Sequence, residues 1–350
     1  MRLPVVTLGS IVVLAVLAGC ADDVSTDGDV VELVYASPYA PRHPFSLADQ
    51  DWIEFVEREA MGRLRIRAIW SGALLSSDQS MTELRHGVAD IGLIMPIYEN
   101  GGAHLLRTQT GFYSGIRTVE NQLALYRCMA DAHSEFQAEL RGLKVLAVQG
   151  GNLPGIVTRN TPVRELDDLK DLRIRAPTEL LPVLADLGAD PVSMPMGEVY
   201  SALAKGIIDG VVAPTDTFRS LHFAEVADYF VELEIPRGAY PARAMGIETW
   251  DGLPAAIRDV LERGIPVWET ALAIRTGESV ATGAAYGREM GMTITSLSRD
   301  EQRRFDAVYA QHALESARAL DRFGIDGAAI YATARAGVTD GGEVRCHGVN

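Results

Sequence analysis

One seven-residue pattern occurs twice in this chain, each time where a helical run gives way to a β-rich one. Leu84-Arg85-His86-Gly87-Val88-Ala89-Asp90 and Leu203-Ala204-Lys205-Gly206-Ile207-Ile208-Asp209 both read Leu-x-x-Gly-x-x-Asp, with their aspartates 119 positions apart (209 against 90). Glycine accepts the left-handed conformation that the chain adopts just past a helix C-terminus. A short acid at the following turn offers an acceptor to loose backbone N–H groups. Apolar runs come next, Ile91 to Met95 in one case and Val211-Val212 in the other. The spacing is too long for a solenoid, whose repeats run about 20–50 residues. It fits two lobes of similar topology, and 350 residues is a suitable length at roughly 100–200 residues per domain.

The surrounding periodicities agree. Val31 to Ala36 is β-rich, and a loop with Pro38, Pro41 and Pro44 follows. Helical spacing then runs from Leu47 to Ala60 through Trp52, Phe55 and Val56. Leu64, Ile66 and Ala68 alternate with Arg63, Arg65 and Arg67, which predicts a half-buried strand. A βαβ opening of this kind points to an α/β lobe. The segment from Pro162 to Pro177 opens the second lobe, with helices expected over Leu180–Leu187 and Glu198–Lys205. After Trp250-Asp251-Gly252-Leu253-Pro254, a helical stretch from Ala255 to Met290 exceeds one small lobe and is expected to run along both. Asp300 to Arg322 reads as an amphipathic helix, and the Gly-rich tail after Ala336 is expected to fray.

The first residues read as an address. Met1-Arg2 is followed by a nearly unbroken apolar run from Leu3 to Ala18, short for a membrane span and suited to a secretory signal. Leu17-Ala18-Gly19-Cys20 resembles a bacterial lipobox, which implies cleavage before Cys20 and lipidation of its thiol. Residues 20–30 are polar and acidic and read as a flexible tether to a membrane. Their aspartates lack the downstream Glu of a calcium loop. Cys128 and Cys346 then remain, either as a disulfide or with Cys128 buried and unpaired. With 32 basic against 47 acidic side chains the chain carries a net charge of −15, which argues against nucleic acid as a partner, because phosphate contacts need clustered Lys and Arg.

Enzyme motifs are missing: there is no GxSxG, HExxH, GxGxxG after a strand, or GxxxxGK[ST]. The seven histidines are scattered, and nothing calls for a metal or a cofactor. The recognition chemistry centres on Arg175. Leu172 and Ile174 face one side of a short strand, Arg173 and Arg175 the other, and Pro177 ends the strand. The carboxyl end of a strand is where ligands of open α/β sheets bind, and a guanidinium there grips a carboxylate through two parallel hydrogen bonds. The competing reading pairs Arg175 with surface acids such as Asp168 or Asp171, and Arg173 is the lesser candidate.

Several blocks resemble the DctP-type substrate-binding proteins of TRAP transporters. They are Gly72-Ala73-Leu74-Leu75 with the first Leu-x-x-Gly-x-x-Asp, then Leu169-Lys170-Asp171-Leu172-Arg173-Ile174-Arg175-Ala176-Pro177. Met194-Pro195-Met196-Gly197-Glu198-Val199-Tyr200 leads into the second echo and Gly210, and Trp250-x-x-Leu253-Pro254 closes the set. The resemblance covers about residues 32–310. It implies a two-lobed, periplasmic-binding-protein-like α/β fold with a hinge and a long helix spanning both lobes. Lobe I is expected at 31–150 plus about 240–275, lobe II at 151–239 plus about 276–335, and the tail at 336–350. It also implies an extracytoplasmic receptor that delivers a small organic acid to a membrane permease and performs no catalysis.

Departures from the family pattern shape the expected ligand. Gly155 stands where the sialic-acid branch has a second arginine, Met95 where an acid is frequent, Val212-Ala213 where Glu-Asn precedes the proline, and Met196 where Phe occurs. Each hydroxyl buried without a partner costs on the order of 1–3 kcal/mol, so such a site should reject sugar acids. The expected ligand is a compact or aromatic monocarboxylate, or a 2-oxo acid, gripped by Arg175, with Met95, Val212, Ala213 and Met196 against its body and Tyr39, Trp70 and Tyr240 as further walls. The alternatives are an ABC-type or sensor-linked binding protein, or a lipid-anchored hydrolase or lyase.

Overall fold

The computed structural model describes residues 30–346; the leader, Cys20 and nearly all of the tether expected at 20–30 lie outside the described residues. Eleven strands form two sheets among the described residues. The first sheet contains β1 (Val31–Ala36), β2 (Leu64–Ile69), β3 (Ile91–Leu93), β4 (Leu143–Gln149) and β10 (Tyr240–Gly246), in the order β2-β1-β3-β10-β4. The second contains β5 (Gly155–Thr158), β6 (Arg173–Arg175), β7 (Asp190–Val192), β8 (Gly210–Ala213), β9 (Tyr229–Glu232) and β11 (Thr293–Ser296), in the order β11-β9-β5-β8-β6-β7.

Apart from β11, the two orders are the same pattern. β1 lies between β2 and β3 with parallel pairing, as β6 lies between β7 and β8. β10 then runs antiparallel beside β3, and β5 antiparallel beside β8. β4 of the first sheet leads directly into β5 of the second, and β9 of the second leads back into β10 of the first. The chain therefore crosses between lobes at residues 150–154 and 233–239, and these paired segments form the hinge.

The repeated heptad holds equivalent places in the two sheets. Gly87 and Gly206 sit just past the helices Ser80–Arg85 and Met196–Ala204 with φ of 72° and 67°. Asp90 accepts a hydrogen bond from Val34 N at 2.7 Å, and Asp209 accepts one from Arg173 N at 2.8 Å. Each aspartate thus clips the start of its own strand to the neighbouring parallel strand, and in lobe II the clipped strand carries Arg175.

The first helix begins earlier than its apolar spacing predicts, at Pro44 rather than Leu47. Proline suits the first turn because its missing N–H has no helical partner there, and the His43 ring caps the turn by accepting from Phe45 N at 3.2 Å. The long helix Ala255–Glu289 runs along both lobes. Its first half packs on the helix Pro44–Glu59, where Trp52 and Trp268 stack at 3.7 Å. Its second half reaches the turn Thr217–Ser220 of lobe II. That approach needs glycine: a Cβ on Gly283 would lie 2.3 Å from the Thr215 carbonyl oxygen. Beneath the first lobe's cleft face, Arg243 is fully buried, donating to Asp49 Oδ1 at 2.9 Å and Gln149 Oε1 at 2.6 Å.

The expected fraying of the tail is corrected. Val338 bridges Val344, and Cys346 is joined to Cys128 with their Cα atoms 5.5 Å apart. The preceding helix, Gly327–Gly337, packs on both Val119–Ala132 of lobe I and Arg299–Arg318.

Candidate functional site

Arg173 and Arg175 leave β6 on the same face and meet different surroundings. Arg173, at the exposed end, pairs with Asp190 Oδ2 at 2.8 Å. Arg175, at the carboxyl end, is only 1% exposed. The neighbouring Ile174 points the other way, into an apolar cluster with Leu166, Leu169 and Val183, and this alternation sends the guanidinium into the cleft between the lobes. Neither Asp168 nor Asp171 approaches it; among the described residues no carboxylate lies within ion-pair distance of Arg175. Its Nε donates to the Met194 carbonyl at 2.9 Å, and Nη2 donates to the hydroxyl of Tyr98, whose ring centroid is 5.5 Å from the guanidinium carbon. Tyr98 follows β3 in lobe I, so this contact spans the cleft. Burying a charge costs several kcal/mol unless it is paired and hydrogen-bonded, and here one carbonyl and one hydroxyl accept from the guanidinium.

A cavity of about 90 Å³ surrounds this group. Of the residues expected at the site, Arg175, Met95, Met196, Val212, Tyr39 and Tyr240 line it. Tyr39, Met95, Ile97, Tyr98 and Met196 also line an adjoining cleft of about 1180 Å³. Tyr39 is held by stacking on His43, with centroids 4.1 Å apart. Burial pushes the Tyr39 and Tyr240 hydroxyls upward, so both stay neutral donors, and it lowers the His43 imidazole to about 3, with Arg243 adding to the effect.

Two expected residues lie elsewhere. Trp70 follows β2, the edge strand of its sheet, and its ring rests edge-on against Tyr35 at 5.6 Å. Ala213 faces the opposite side of β8 from Val212, packed with Val157, Phe218 and Phe230, as strand alternation requires. Sequence reasoning missed Thr110 and three ionisable residues that share the cavity: Tyr98, Glu179 and Arg237. They lie on loops and a single turn, where no periodicity marks a facing direction. Burial raises the Glu179 carboxyl, and hydrogen bonds from its own backbone and from Thr110, followed by the charges of Arg175 and Arg237, work against that rise. Among the described residues no group of three or more His, Cys, Asp or Glu side chains is placed to hold a metal ion.

A family model for DctP, described as bacterial extracellular solute-binding protein, family 7, matches residues 35–318. The chain belongs to this family. Its members are TRAP-transporter solute-binding proteins rather than enzymes, and their place is outside the cytoplasm. A solute-binding protein of Albidiferax ferrireducens is 25% identical over 253 residues, covering 69% of this chain and 72% of that protein. The 2,3-diketo-L-gulonate-binding periplasmic protein YiaO of Escherichia coli is 25% identical over 232 residues, covering 61% and 66%. Among solved structures, a TRAP solute-binding protein from Rhodoferax ferrireducens, in complex with copurified benzoate, superposes with a TM-score of 0.79 at 23% identity, covering 88% of this chain and 97% of that one. The two-lobed α/β fold described above is thus the fold of this family.

Proposed function

We propose that this receptor captures a compact or aromatic monocarboxylate, or a 2-oxo acid, between its lobes, with Arg175 as the carboxylate grip, and hands it to a TRAP permease while tethered to the membrane through a lipid on Cys20. The observation that carries the reading is a buried guanidinium without a carboxylate partner among the described residues, facing a cavity walled by Met95, Met196, Val212 and aromatic rings. A two-pronged acceptor such as a carboxylate matches the arginine fork, and apolar walls favour a body with few hydroxyls. The benzoate held by the Rhodoferax protein is a ligand of this chemical kind. The lobes in this reading are residues 31–150 with about 240–275, and 151–239 with about 276–335, hinged at the two crossing segments.

Mass spectrometry of the protein purified from its native host under non-denaturing conditions tests the ligand class. The expected result is a carried-over small monocarboxylic acid that is released chemically unaltered. A sugar acid, or a ligand converted to product on incubation, would contradict the reading. The same preparation tests the anchor: the mature chain should begin at a diacylated Cys20, and Cys20→Ala should release it from the membrane fraction.

A further inference from the structure

The cavity holds two charged side chains that the carboxylate grip does not use. Glu179 lies in the single turn Thr178–Leu180 after β6, and Arg237 lies on the crossing segment between β9 and β10. Among the described residues, Arg237 has no carboxylate within ion-pair distance, and its hydrogen bond runs from Nη1 to the Asn152 carbonyl at 3.2 Å. Glu179 Oε2 is buried with no hydrogen-bond partner. One small cavity therefore contains a donor fork with N–H groups to spare and a carboxyl with one oxygen, Oε2, left without a donor, and the two are not joined to each other.

An acceptor buried without a partner costs about 1–3 kcal/mol, so a ligand group that supplies a donor there gains affinity. A hydroxyl is the smallest group that satisfies both poles: its oxygen accepts from a guanidinium N–H while its O–H donates to a carboxylate. A second carboxylate would suit Arg237 but would meet Glu179 as a like charge, and an amine would suit Glu179 but meet Arg237 and Arg175 in the same way. We infer that Glu179 and Arg237 form a second recognition pole for a single hydroxyl, so that the receptor selects a hydroxy-substituted organic acid whose carboxylate lies on Arg175. The inference rests on the proposed role of Arg175 and narrows the ligand class within it.

Calorimetric titration with matched probes tests it: benzoate against meta- and para-hydroxybenzoate, and propionate against lactate. The wild type should prefer the hydroxylated member of a pair by about tenfold or more. In Glu179→Met and in Arg237→Met that ratio should fall toward one, whereas Glu179→Gln, which keeps an acceptor oxygen, should retain part of it. A change in the packing of the lobes would weaken both members of a pair alike and leave the ratio standing. A ratio unmoved by both methionine substitutions, a wild type that does not discriminate within the pairs, or one that binds none of the probes would overturn the hydroxyl pole. The carboxylate grip is judged separately: if Arg175→Ala keeps the wild-type affinity for both members, the receptor reading beneath the inference falls as well.

Discussion

Three side chains around the cleft show how position, rather than residue type, decides behaviour. Arg173 and Arg175 are two residues apart on one strand face, yet one ends in a solvated ion pair and the other in a buried cavity. His43 is a capping group: a neutral ring accepts from Phe45 N, and burial holds its imidazole near 3. The native state therefore refuses a proton that the unfolded chain accepts near 6.5. Stability contributed by neutral His43 is complete above 6.5 and is lost as pH falls from there toward about 3, with a slope of up to about 1.4 kcal/mol per pH unit. His43→Asn keeps a capping acceptor and removes the titration, so its urea midpoint should fall less than the wild-type midpoint between about pH 7 and about pH 4.5. Parallel declines in the two proteins would contradict the assignment. Much of the cavity's lining was legible in the sequence: alternation on β6 and the strand-ending Pro177 pointed to Arg175, and Tyr39, Met95, Met196, Val212 and Tyr240 also line the cavity. Glu179, Arg237 and Tyr98 were not legible, because a loop residue's direction is set by tertiary contacts rather than by a local period.

At the scale of elements, the repeated heptad was the most readable feature, since its glycine and aspartate answer local demands: a left-handed residue past a helix and an acceptor at a strand entrance. Its consequence for function is indirect. Asp209 binds the backbone N–H of Arg173 and so steadies the strand that carries Arg175, whereas Asp90 performs the same task on β1. Asp209→Ala and Asp90→Ala should each lose about 1–2 kcal/mol of stability in urea unfolding. Asp209→Ala should weaken ligand binding more than Asp90→Ala does, and equal losses of affinity would show that β6 owes its position to other contacts. The docked tail was hidden for a different reason. Whether Cys346 reaches Cys128 depends on two Cα atoms approaching across 218 residues, a property of the folded chain that spacing does not encode. The position of Trp70 was open in a similar way: a tryptophan at a strand end looks equally suited to a wall or a core, and here it follows the edge strand of its sheet, outside the cavity lining.

For the whole molecule, the two sheets exchange strands at the hinge, and the long helix packs on both lobes, so motion between lobes is confined to a bend. The Arg175–Tyr98 contact across the cleft shows that the lobes can approach closely enough to enclose a small acid. Ligand with higher affinity for the closed arrangement shifts the population toward it, and in the proposed complex water leaving the cleft would strengthen a carboxylate's attraction to Arg175. Small-angle scattering of the wild type should show a smaller radius of gyration with the copurified acid than without it. An unchanged radius would place closure before binding. The most direct test is calorimetric titration of that acid into Arg175→Ala beside the wild type. Removing one partner of a buried charge pair costs about 2–5 kcal/mol, so affinity should fall by about thirtyfold or more while the circular dichroism spectrum stays native. Wild-type affinity in the variant would contradict the carboxylate grip on which the account depends.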